Sequence, residues 1–133
     1  MTTTVELLAA IHTHLIEFEL PPVASVNVAS STSSPQVSVQ LACHEPPAVA
    51  AALLAWADTL TEVTAHAWRV PRGDSVHLSV TGLLPHGTSV LVYAGLGDTH
   101  HLGADLPPGA STTITLTALR HTATVTVTEG TTR

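Results

Sequence analysis

Leu8, Ile11, Leu15 and Phe18 recur at i, i+3, i+7 and i+10, while Glu6, Ala10, Thr13 and Glu17 fall on the opposite side. That is a helical period, and it predicts an amphipathic helix over residues 4–19. Thr3 and Glu6 stand at capping-box spacing, which satisfies two amide donors at the helix start. Pro21 and Pro22 stop the helix. The period then falls to two. Val26 and Val28 alternate within 23–29, and Val37, Val39 and Leu41 within 36–42, so both segments read as strands. The Ser/Thr-rich run 30–35 reads as the loop of a hairpin. A second helix is predicted over 47–60. Pro47 suits its first turn, where no amide donor is needed, and Val49, Leu53, Trp56 and Leu60 form its apolar stripe.

Residues 62–70, 75–83 and 88–94 predict a three-strand meander, with turns marked by Pro71, Gly73 and Asp74 and by Pro85 and Gly87. A long loop rich in Gly, Pro and His follows over 95–111. The tail, 112–133, reads as β-rich: Ile114 and Leu116 alternate, then Val125 and Val127. Apolar parity changes across 119–121, which predicts a turn or bulge there. The order is α-β-β-α-β-β-β plus a β-rich C-terminal tail. The expected fold is α+β, a single domain with two helices packed on a largely antiparallel sheet.

Within the meander, Val63, Ala65 and Ala67 point one way, and Thr64, His66, Trp68 and Val70 the other. Val76, Leu78 and Val80 oppose Ser75, His77, Ser79 and Thr81, and Val90 and Val92 oppose Leu91 and Tyr93. If the small and aliphatic set lies under the helices, then Trp68, His66, His77 and Tyr93 occupy the outer face. An exposed Trp among aliphatic residues is a contact patch. Two covers are open to it: the C-terminal strands or the first helix of the same chain, or a second subunit or protein partner. In the second case the histidines predict association that weakens between about pH 7 and pH 5.5, around the ordinary imidazole value.

Composition narrows the function. The 133 residues include no lysine, four arginines and ten carboxylates, a formal charge of −6, with nine histidines. Charged residues are 11%, well below the roughly 25% of an average soluble domain. High apolar content with modest charge argues against disorder. The longest mostly apolar stretch, 49–60, is too short to cross a bilayer. Phosphate contacts need clustered cations, and only Arg69 and Arg72 are near one another, so nucleic-acid binding is disfavoured. Acid would qualify this, because protonating all nine histidines carries the charge from −6 to +3. Residues 1–19 show no secretory pattern. One cysteine, Cys43, allows no intrachain disulfide and fits a reducing cytoplasm.

The candidate chemistry is thin. His12 and His14 are two apart on a helix and diverge by about 200°, so they do not chelate one metal. His100 and His101 share a loop with Asp98 and Asp105. His66 and His77 are candidate cross-strand neighbours but lack a third ligand nearby. Cys43 precedes the second helix, whose N-terminus would favour a thiolate, yet the adjacent His44 points away from it on an extended strand end. Arg72-Gly73-Asp74 spells an integrin-binding tripeptide and reads as a hairpin turn. Glu17 and Glu19 lie on different helix faces, so they form no acid/base couple. No phosphate loop, dinucleotide fingerprint, zinc-protease motif or nucleophile elbow is present. No catalytic residue, cofactor or metal is expected.

The absence of lysine and the density of Ala, Val, Leu and Thr carry a resemblance of style. The stretch from Leu53-Leu-Ala-Trp-Ala-Asp-Thr-Leu60 through Asp74-Ser-Val-His-Leu-Ser-Val-Thr-Gly82 resembles small uncharacterised proteins of high-GC actinobacteria such as streptomycetes, or of their phages and integrative elements. It implies an origin and no activity. The function expected from the residues is a non-catalytic cytoplasmic interaction or regulatory protein, acting as a homo-oligomer or by docking a protein partner. The alternatives are a phage neck or tail component, and a small enzyme or metal-binding protein using Cys43 or the histidines.

Overall fold

The computed structural model describes residues 3–29, 36–71, 75–85, 87–96 and 106–131, with α3 side chains described as far as residue 123. The elements are α1 (Thr4–Glu17), β1 (Val23–Val28), β2 (Val37–Leu41), α2 (Pro46–Ala57), β3 (Thr61–Arg69), β4 (Val76–Leu83), β5 (Ser89–Gly95), β6 (Ser111–Ile114) and α3 (Leu116–Thr131). Six strands form one sheet in the order β1-β2-β5-β4-β3-β6. Every neighbouring pair is antiparallel except β2 and β5, which run parallel. The fold is a single α+β domain, as the alternation implies.

The strands alternate strictly. Val37, Val39 and Leu41 of β2, Val90, Val92 and Ala94 of β5, Val76, Leu78 and Val80 of β4, and Ala65 and Ala67 of β3 are buried on one face. Leu7 and Ile11 of α1, Leu53 and Trp56 of α2 and Leu119 of α3 belong to the same apolar cluster, so all three helices serve that face. α2 is apolar nearly all round, which suits a helix enclosed on several sides. It packs on β4, β5 and α3. The parallel pair is pinned by a reciprocal exchange: the Gln36 amide donates to Ser89 Oγ at 2.9 Å, and the Ser89 amide donates to Gln36 Oε1 at 3.3 Å.

Two readings of the chain need correction. The first concerns which side of α1 is buried. Its capping box forms, with Thr3 Oγ1 accepting the Glu6 amide and Glu6 Oε1 accepting the Thr3 amide, both at 3.1 Å. The buried residues, however, are Leu7, Ile11 and His14, while Leu8 and Phe18 are exposed. His14 is the cause. Its Nε2 lies 2.8 Å from Thr59 Oγ1, and its ring packs 5.7 Å from that of Trp56. Thr59 has one hydroxyl proton and donates it to the Trp56 carbonyl at 2.7 Å, so the proton of the His14 contact belongs to Nε2. A polar side chain satisfied in this way can occupy the core, and Leu8 turns outward.

The second correction concerns the expected β-rich tail, 112–133. Only β6 is a strand; the rest is the third helix. Thr115 Oγ1 accepts the Ala118 amide at 3.0 Å, as a helix cap does. Leu119 is fully buried, and the Thr122 hydroxyl donates back to the Ala118 carbonyl at 3.1 Å. The parity change read as a turn is therefore the helical step from Leu116 to Leu119 to Ala123. α3 packs against α2, and tertiary packing of this kind outweighs intrinsic strand preference.

Gly82 of β4 is a close-packing position: a Cβ there would stand 2.9 Å from Leu60 Cβ and 3.0 Å from the Thr61 carbonyl oxygen. Both neighbours flank the bulge that shifts the β3 register between Thr61 and Thr64. Gly82→Ala should cost about 1–3 kcal/mol as overpacking. Thr115→Ala should cost about 1 kcal/mol as a lost cap. Urea unfolding followed by circular dichroism measures both; a neutral Thr115→Ala would remove the cap from the account of α3.

Candidate functional site

Because the helices occupy one face, the other face of the sheet carries the second side-chain set of β3, β4 and β5. Register fixes the neighbours. Trp68 stands opposite His77, and His66 opposite Ser79. Ser79 in turn faces Tyr93, and His77 faces Gly95. Trp68, His66, His77 and Tyr93 thus share one surface, as alternation implies. One detail differs: His66 and His77 are diagonal, not direct, partners, since the β3–β4 register pairs His77 with Trp68.

Neither element expected to cover this surface does so. β6 extends the sheet beside β3, with Ser111 opposite Trp68 and Thr113 opposite His66. α1 joins the inner core through Leu7 and Ile11. Trp68 remains 38% exposed, the one large apolar side chain of the sheet in that state among the described residues.

Aromatic geometry orders the patch. The Trp68 and His77 rings meet edge to face, with centroids 5.3 Å apart at 84°. His77 and Tyr93 are parallel at 6.4 Å. The His77 ring lies over Gly95, where a Cβ would be in ordinary contact with it at 3.4 Å. Offset and edge-to-face pairs of this kind fix the ring positions. Ser79 is a small residue ringed by large ones, so it floors a pit of about 210 Å³ walled by Trp68, His77, Tyr93 and Leu91. The pit and the exposed indole are adjacent.

The remaining candidates do not assemble. His12 is exposed on α1 and His14 is buried. Among the described residues no three His, Cys, Asp or Glu side chains gather at metal-binding distance. Asp98, His100, His101 and Asp105, and the Arg72-Gly73-Asp74 turn, lie outside the described residues. Arg69 is committed to structure: its Nη1 donates to the Leu106 carbonyl at 2.8 Å, while its backbone amide donates to Ala110 O and its carbonyl accepts the Gly109 amide. Among the described residues no helix is long and apolar enough to cross a membrane. No protein-family model, curated protein or solved structure matches the chain.

Cys43 is half-buried beside Pro21, Pro22 and the alanines of α2. Burial pushes its thiol above the ordinary range, against a smaller opposing pull from a backbone hydrogen bond. The thiolate is the reactive form, so this environment works against a nucleophile. Ellman's reagent should therefore react with Cys43 more slowly than with free cysteine at pH 7.5, with the rate still climbing above the usual thiol midpoint. Labelling faster than free cysteine would return Cys43 to the list of nucleophiles.

Proposed function

We propose that the protein is a non-catalytic interaction module that works as a homodimer through the outer face of its sheet. The observation that carries this reading is the juxtaposition of Trp68 and the Ser79 pit. A two-fold interface is self-complementary: residue i of one copy meets residue j of the other, and j meets i. A knob and a hole side by side on one face meet that requirement without rearrangement. The indole of each copy would fill the other's pit, and Trp and Tyr are the residue types that dominate interface energetics. The face spans about 24 Å across six strands and about 25 Å along the longer ones. That is of the order of the surface, about 800 Å², that each partner of a standard interface contributes.

Composition supports the same reading. With no lysine, and with carboxylates outnumbering arginines, the chain is poorly suited to phosphate and better suited to protein contacts. The single cysteine fits a reducing cytoplasm. The residue usage fits an actinobacterial origin, or a phage or integrative element of such a host. A second reading rests on the two open edges, β1 and β6. Head-to-tail pairing of one copy's β6 with the next copy's β1 builds a ring, the form expected of a phage neck or tail component.

Light scattering after size exclusion decides between them. A two-fold mass is expected for the wild type, a monomer for Trp68→Ala, and a monomer for Ser79→Phe, which fills the pit. Because Trp68 also walls the pit, Trp68→Ala removes both halves of the contact and Ser79→Phe removes the pit, so a mixture of the two variants should stay monomeric. An unchanged urea midpoint for each variant would separate a lost interface from general destabilisation. A monomer at all concentrations overturns the homodimer, and a mass of several copies insensitive to Trp68→Ala favours the ring.

A further inference from the structure

A second cavity lies elsewhere. It is a trough of about 700 Å³ between α1 and the corner at Leu84 and Pro85 that ends β4. Ala9 and Ala10 give it a low apolar floor on the helix side, and Leu84 and Pro85 form the opposite wall. Its size falls within the range of small-molecule sites. Its two ends carry carboxylates, Glu6 and Glu17. Eleven residues separate them, about 16 Å of helix axis.

The two ends differ. Glu6 is partly engaged: hydrogen bonds from Thr3 hold its carboxyl below the ordinary range, with a smaller pull from the amino terminus. Glu17 has no ion-pair partner among the described residues. Beside it the Phe18 ring lines the trough while remaining 43% exposed, and the ring of His14 packs 4.7 Å from it. A carboxylate next to an exposed aromatic face attracts an alkylammonium by two independent means, charge and cation–π contact. Among the described residues no Lys or Arg lines the trough.

We infer that this trough binds a linear polyamine, with its methylene stem on the apolar floor and an ammonium group at each carboxylate end. The chemistry selects that class. An anionic ligand would meet the two carboxylates, Glu6 and Glu17. A short monoamine leaves one end empty, and an uncharged lipid tail wastes both. The trough is independent of the sheet face and holds whether or not the chain dimerises.

Calorimetric titration at low ionic strength tests this, with spermine and putrescine as the probes. One spermine per chain is expected, bound more tightly than putrescine, which is too short to reach both ends. Glu17→Gln should weaken spermine binding about fivefold, as an exposed ion pair does. Glu6→Gln should act similarly while leaving α1 intact, because Gln also completes a capping box. Phe18→Leu should cost a comparable factor through the lost cation–π contact. Glu62→Gln, a carboxylate outside the trough, should change nothing. Absence of saturable binding overturns the site. So does equal weakening by Glu62→Gln, which would mark general attraction to an acidic surface, and so does equal affinity for putrescine.

Discussion

The structure depends on strict two-residue alternation in β2, β5, β4 and β3. Each strand sends its branched aliphatic or alanine side chains to one face, and the register aligns them, Val39 with Val92, Val92 with Val80, and Val80 with Ala65. A one-residue slip in any strand would carry its whole apolar set into water. All three helices therefore serve one side. α2 lies against the middle strands, and its small residues bring it close to the sheet. α1 and α3 complete the cover at either flank. His14 shows how a polar group joins such a layer: its Nε2 proton is accounted for by Thr59, whose own proton is accounted for by Trp56.

The same commitment shapes the opposite face. With most of the aliphatic residues in the core, the outer face receives Ser, Thr, His, Trp and Tyr, together with Leu91. Most of these tolerate water. Trp68 does so at the cost of exposed apolar area, and the small Ser79 leaves a hollow beside it. The patch is thus a consequence of the alternation together with two residue choices: Trp68 as the large exposed side chain and Ser79 as the small floor beside it.

Much of this was legible in the chain. Period two in 36–42 and through the meander identified the strands, their turns and the residues of the outer face, because alternation directly encodes which side chains share a side. Period two does not encode neighbours. Nothing in β2 or β5 distinguishes a parallel from an antiparallel partner, so the β2–β5 pair appeared only with the structure. The direct pairing of His77 with Trp68 likewise depends on the position of a bulge near Glu62, whose φ of 52° is a backbone property that no side-chain pattern reveals. α3 was misread because Thr and Val are strand-favouring residues. The contrary signal was present in Thr115 as a cap and in Leu116, Leu119 and Ala123 at helical spacing. The trough along α1 was not legible at all, since its second wall, Leu84 and Pro85, comes from the far end of β4.

The proposed homodimer requires the outer sheet face to be bare within one chain and covered by a second copy. Fluorine NMR of the fluorotryptophan-labelled protein addresses it residue by residue, because the chain has two tryptophans, one fully buried and one exposed. With a soluble paramagnet present, Trp56 should stay sharp at every concentration. Trp68 should broaden in dilute solution and become protected as the protein is concentrated. Protection of Trp68 at the lowest concentration would mean that its own chain covers it, and exposure at the highest would mean that no second copy does; either result contradicts the interface.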